Sequence, residues 1–311
     1  MARKIRNPHD RFMKALLSDL EMARDYFTQF LPEPLKEIVN LSALSHSGTS
    51  FISGMKEGEF FADMVFECPL KSGKGKLYLS ILVEHKSFKN KYVYIQLGRY
   101  LFGAYEQQLK AKNEPLTPVI PFLYYHGGED WHPEDMRHFF PDYPAVLLDY
   151  IPEFKIIFRN VGDYTEEQLL QLGNAMLTST LITQKYSHDP ERLLTQVHNI
   201  FSTLESWIGR NLLEDLIVYF IELIEVKEEQ FNIIVDKIPE IMKTAFISTA
   251  DKLRQAGKKE GRKEGRQEGT QQTKKQAVQN MLREGLEVAF ICKILEVSPE
   301  FVEQVRKEME V

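Results

Sequence analysis

Two β-rich runs meet at a turn near the start of this chain, and few local folds accommodate them. Residues 59–66 read Glu-Phe-Phe-Ala-Asp-Met-Val-Phe, and residues 77–87 read Leu-Tyr-Leu-Ser-Ile-Leu-Val-Glu-His-Lys-Ser. Between them lies a Pro/Gly/Lys-rich break containing Ser72-Gly73-Lys74-Gly75. Strong turn chemistry between two such runs predicts a β-hairpin. Symmetry about Gly73 and Lys74 places Asp63 opposite Glu84. Direct cross-strand neighbours lie about 4.5–5.5 Å apart, where like charges repel, so the pair needs a proton, a cation or solvent. A divalent metal is the cation expected. With a side-chain period of two, Lys86 shares the face of Glu84 and His85 points the other way.

An Asp followed one strand later by Glu-x-Lys resembles the PD-(D/E)XK nuclease superfamily. More narrowly, the chain resembles the bacterial recombination-promoting nuclease, or transposase-like, family. Four further segments carry that resemblance: His9-Asp10-Arg11-Phe12-Met13-Lys14, Gln96-Leu97-Gly98-Arg99-Tyr100, Pro121 to Gly127 with Trp131 beyond it, and the Gly/Lys/Glu-rich tail. Where many relatives carry Glu-His-Gln-Ser, this chain has Glu84-His85-Lys86-Ser87, the superfamily form. The resemblance implies an α/β fold: a restriction-endonuclease-like αβββαβ core with a mixed sheet, followed by an all-α region and a short helical tail. It also implies a DNA endonuclease dependent on Mg2+ or another hard cation such as Mn2+ or Ca2+. Asp63 and Glu84 would be its ligands, with the His85 backbone carbonyl as a third. Lys86 would be catalytic. Gln96 would hold a metal-bound water or a substrate phosphate, with Arg99 and Tyr100 in support. The other reading of Gln96 and Tyr100 is surface and core packing. Asp10 either caps the first helix or approaches the site.

The 311 residues exceed one typical domain, and 43% hydrophobic content permits a substantial core. Two cysteines, Cys68 and Cys292, make no disulfide framework. The start has no apolar signal-peptide core, and no apolar run reaches membrane-spanning length, so a cytoplasmic location without a membrane is expected. The net charge of −6 is unevenly spread. Residues 56–112 hold ten Lys/Arg against six Asp/Glu, which makes the site's neighbourhood basic.

In chain order, the spacing of apolar residues predicts a helix over 10–31, ended by Pro32 and Pro34, and a first strand over 38–44. The hairpin supplies two more strands. A helix over 89–109 and a strand over 117–125 follow, the latter carrying Pro118 and Pro121 and therefore expected at an edge or a bulge. His126, His132 and His138 recur every six residues, which is neither a helical nor a short-loop zinc spacing. A turn leaving the strand, with Trp131 packed back, is expected instead. Residues 154–158 suggest another strand, and Asp163 or Thr165 starts a helix.

The expected organisation is a nuclease domain over 1–162, helical accessory residues 163–255, a linker or helix over 256–275 and a helical segment over 276–311. Glycines at 257, 261, 265 and 269 favour a linker, although as a helix they would form one face. Ser298 and Pro299 predict a capped final helix. Self-association as a homodimer through the helical region or the tail is as compatible with these residues as DNA binding.

Overall fold

A computed structural model of the chain describes residues 8–47, 63–84, 91–204, 210–224 and 228–309. The expected first helix is two, α1 (Pro8–Ser18) and α2 (Leu20–Phe30). Asp19 divides them. Its backbone is extended, and its carboxylate accepts N–H groups of Glu21 and Met22 at 2.8 and 3.2 Å, a side-chain cap that starts α2 afresh. The strand expected over 38–44 does not form. Pro34, in the first turn of α3 (Glu33–Ile38), pre-sets helical backbone there. Val39 then makes one isolated bridge to Leu70, and a single 3-10 turn (Leu41–Ala43) leads to the short strand β1 (Ser45–His46).

The hairpin is present as β2 (Asp63–Pro69) and β3 (Lys76–Glu84), followed by α4 (Val93–Lys110), β4 (Val119–Tyr125) and β5 (Ile157–Asn160). These strands form one mixed sheet in the order β1-β2-β3-β4-β5, antiparallel as far as β3 and parallel from there. Three strands, a helix and a strand follow one another as in the sequence reading, but β1 replaces the strand expected over 38–44 and three helices rather than one precede it. The expected hairpin register is not observed. Gly73 and Gly75 have φ of +70° and +94°, and the Leu70 N–H donates to the Gly75 carbonyl at 3.0 Å, so the turn closes one residue earlier than symmetry about Gly73 and Lys74 requires. Asp63 is therefore in register with Leu82, not with Glu84.

Strand β4 lies inside the sheet, contrary to the edge position its prolines suggested. The Tyr78 N–H donates to the Pro118 carbonyl and the Val119 N–H to the Tyr105 hydroxyl, so odd positions of β4 turn their N–H away from β3. Pairing with β5 starts only at Phe122. The missing N–H of Pro121 therefore leaves no ladder bond unmade.

Both faces of the sheet are covered. Val65, Tyr78 and Val119 pack with Leu101 and Ala104 of α4, and Leu123 and Tyr125 with its Val93 and Leu97. The opposite parity, Phe66, Leu79, Phe122 and Tyr124, meets Tyr26, Phe27 and Phe30 of α2. Ring centroids there are 5.3 Å apart for Phe27 and Phe66, and 5.6 Å for Tyr26 and Phe122. The same apolar cluster runs on to Phe246. Helix α5 (Ala145–Leu148) is a surface turn outside it; the cluster takes in α6 (Glu166–Leu170), α7 (Ala175–Lys185), α8 (Pro190–Thr195), α9 (Val197–Ser202), α10 (Arg210–Ile224) and α11 (Glu228–Lys237). The helix start expected near Thr165 is a capping box, with Thr165 and Gln168 each satisfying the other's backbone N–H.

By its contacts the chain divides into Met1–Thr249 and Ala250–Val311. Helix α12 (Glu240–Arg283) continues through 257–269, so the glycine repeat is helical. Each glycine there costs roughly 0.8–1 kcal/mol relative to Ala. With α13 (Val288–Leu295) and α14 (Pro299–Met309), α12 encloses a small core of Val278, Ile291, Val302 and Val305. Ser298 caps α14 as expected, its hydroxyl accepting the Phe301 N–H at 3.3 Å.

Phe122 of β4 is fully buried against α2. Phe122→Ala should destabilise the first unit by about 3–5 kcal/mol, read as a lower urea midpoint at unchanged m-value.

Candidate active site

At the carboxyl end of β3, Glu84 is in register with Tyr125 of β4, and Leu82 with Leu123 on one side and Asp63 on the other. Backbone position 84 is thus diagonal to position 63 and of the same parity. Such diagonals span about 7–8 Å, longer than a direct pair but still bridgeable by a shared ion. That parity is the one that meets α4, since Val65 and Tyr78 cluster with Leu101, and the Ser80 hydroxyl donates to the Tyr100 hydroxyl at 3.0 Å. His85 and Lys86, the other two predicted participants, lie outside the described residues.

Helix α4 begins over this end of the sheet. Val93 and Leu97 pack on Leu123 and Tyr125, the register neighbours of Leu82 and Glu84. Gln96, half-buried, stands on the same helical side as Tyr100, one turn nearer the carboxyl end of the sheet. Tyr100 is half-buried and packs against the cluster of Val65 and Tyr78, with its hydroxyl bound to Ser80. Arg99 is exposed.

Asp10 lies in the first turn of α1, 6% exposed, with Lys14 at 3.2 Å one turn on. Its neighbour His9 belongs to a group that local sequence patterns did not bring together. The His9 ring lies 4.5 Å from that of His126, which leaves β4, and 5.8 Å from that of His188, between α7 and α8. The rings of His126 and His188 are stacked at 5.8 Å, and His9 Nδ1 lies 2.6 Å from the Tyr219 hydroxyl of α10. Gly128 permits this corner, since a Cβ there would come within 3.1 Å of the His188 Cβ. Burial, and then the neighbouring His188 imidazole, hold the pKa of His9 down to about 4. Burial also lowers that of His188, opposed by a hydrogen bond with the His126 backbone. At His9 and His188 burial thus favours the neutral imidazole, where neighbouring imidazolium ions would repel. His188 and Tyr219 carry no motif, and only the tertiary fold joins them to His9.

The turn after β4 is as expected. Trp131 is buried against Tyr125 and Phe158, with ring centroids 4.9 and 5.7 Å away. Beside it, a cleft of about 790 Å3 at the start of α4 is lined by Lys91, Tyr92, Trp131, His132 and His138 among others. Asp130 and His132 of its lining, together with Asp163, bring one ligand atom each within 4.8 Å of the others. Two carboxylates and an imidazole are a donor set suited to a divalent cation, but all three side chains are exposed. Sequence spacing missed this group because Asp163 arrives from beyond β5.

A family model described as "Putative transposase, YhgA-like" matches residues 7–209, more than half of the chain and the whole of the sheet. The chain belongs to the YhgA-like family. Similar proteins in Escherichia coli K12 include the recombination-promoting nuclease RpnA, 25% identical over 81% of this chain and 85% of RpnA. The inactive recombination-promoting nuclease-like protein RpnE is 25% identical over 81% of this chain and 83% of its own length. The recombination-promoting nuclease RpnD of Escherichia coli O157:H7 is 30% identical over 40% of this chain and 48% of RpnD. No solved structure matches the chain. Among the described residues of this YhgA-like protein, no helix is long and apolar enough to cross a membrane.

The histidine corner has a pH signature. Because the folded-state pKa of His9 lies below its unfolded value of 6.5, the unfolded chain takes up the proton first as pH falls. Stability should be full above about 6.5 and decline towards about pH 4, by at most about 1.4 kcal/mol per pH unit for this group. Urea midpoints measured across that window should fall more steeply for wild type than for His9→Gln, and the His9 ring protons should titrate near pH 4 by NMR.

Proposed function

We propose that this YhgA-like protein is a metal-dependent DNA endonuclease of the PD-(D/E)XK type, cleaving phosphodiester bonds in the cytoplasm during recombination or DNA mobility. The carrying observation is that positions 63 and 84 share one parity at one end of the sheet, under the start of α4. Relatives named recombination-promoting nucleases support the chemistry. RpnE, named as inactive, is as similar as RpnA, so overall identity does not choose between an active enzyme and an inert nucleic-acid-binding scaffold of the same fold. Lys86 accompanying both acids favours the active reading.

The donor set fits a hard cation: two carboxylates from adjacent strands, with the His85 backbone carbonyl following Glu84 in sequence. Mg2+, or Mn2+ or Ca2+ in its place, when bound acidifies a water and offsets charge on the phosphoryl oxygens. Asp63 and Glu84 would hold it. Lys86 orients the attacking water and stabilises the charge that develops on the phosphate. Gln96 donates to a phosphate oxygen or to that water, and Arg99, exposed on the next turn, supplies a positive charge towards substrate. Tyr100 fixes the helix to β3 through Ser80, and Asp10 with Lys14 supports the first helix from the other face.

Plasmid cleavage in Mg2+ should fall by about 10²–10³-fold in Asp63→Ala, Glu84→Ala and Lys86→Ala, with urea midpoints close to wild type. EDTA should abolish cutting by the wild-type protein. Undiminished cutting in both acid variants would exclude this site.

A further inference from the structure

The second unit carries a charge pattern that the cleavage site does not use. Residues 252–275 hold nine Lys/Arg against three Asp/Glu, a net +6 in a chain whose total is −6. The remaining residues therefore carry −12. This basic segment lies entirely within α12, and every residue over 254–273 is exposed.

Its order is as specific as its composition. From Gly257 the sequence runs Gly-Lys-Lys-Glu, Gly-Arg-Lys-Glu, Gly-Arg-Gln-Glu, and a repeat of four sets like residues above one another on a helix. Lys258, Arg262 and Arg266 make one row, Lys259 and Lys263 the next, and Glu260, Glu264 and Glu268 a separate one. Among the described residues, no carboxylate lies within ion-pair distance of those five cations. The basic rows border a groove of about 950 Å3 lined by Arg262, Lys263, Arg266 and Lys274, with Ser298 and Phe301 at the start of α14 opposite, and no acidic side chain lines it.

We propose that this groove is a docking track for the phosphate backbone of duplex DNA. The charge densities agree: the repeat offers up to two cations per four residues, about 6 Å of helix, against one phosphate per about 3.4 Å of each strand. The glycine row flanks the track at backbone height, since a Cβ at Gly257, Gly261, Gly265 or Gly269 would meet nothing within 4 Å. Lys and Arg contacts to phosphate hold the duplex without reading bases, so docking is independent of sequence. The inference rests on the nuclease reading only for the choice of DNA as partner.

The test is fluorescence anisotropy of the full-length protein with a labelled duplex of about 30 base pairs, in EDTA, across about 50–200 mM salt. Replacing Lys258, Arg262, Lys263 and Arg266 by Gln should weaken binding at least ~10-fold and reduce the slope of log affinity against log salt by about 3–4. Replacing Glu260, Glu264 and Glu268 by Gln, in a protein of equal helicity by circular dichroism, should tighten it. Asp63→Ala should bind in EDTA with the wild-type salt slope, so failure of cleavage and failure of docking are separate observations. Unchanged affinity and slope in the fourfold variant would overturn the proposal. Equal or tighter binding of polyglutamate than of duplex would also overturn it, reassigning the groove to an acidic protein.

Discussion

Strand β3 is held by two different kinds of ladder, antiparallel to β2 and parallel to β4, and the rest of the first unit follows from that combination. A tight turn suffices for the first ladder. The second requires a crossover, and α4 is the element that makes it. Because α4 must cover one face of the strands it connects, its first turns come to rest on Leu123 and Tyr125, beside the register positions of Leu82 and Glu84. The candidate chemistry sits where strand ends and helix start converge. The opposite face is closed by α2 and by the helices that follow β5.

That second face contains polar groups at depth. Tyr124 donates to Gln184, Tyr219 meets His9, and Ser179 bonds to the Ile200 carbonyl at 2.8 Å, all away from solvent or nearly so. Buried polar groups are tolerated only where partners have the right position, so these bonds fix how α7 seats on β4 and α9, and α1 on α10, more narrowly than apolar contact would. Burial drives the pKa of Tyr124 and Tyr219 upward, keeping both hydroxyls protonated as donors.

The sequence made some of this plain and hid the rest, for physical reasons. The hairpin, α4 and β4 were legible because periodicity and turn residues are local signals. The register was misjudged by one residue at the turn, because the left-handed backbone at Gly73 and Gly75 is not fixed by residue type alone. Asp19 concealed a cap inside an unbroken apolar rhythm. Pro121 pointed to an edge, since sequence cannot say on which side of a strand pairing begins late. Ser80 beneath Tyr100 was predictable only once that register was known. His188 and Tyr219 had no local signature at all, because what brings them to His9 is the packing of three distant elements.

The bond between His9 and Tyr219 joins residues 210 positions apart. A ribosome adding about 5–20 residues each second takes roughly 10–40 s to cover that distance. Throughout that interval the opening helix has emerged without the partners that close its corner. A nascent chain of this kind can assemble its hairpin early, yet the corner that joins α1 to α10 is completed only late in translation.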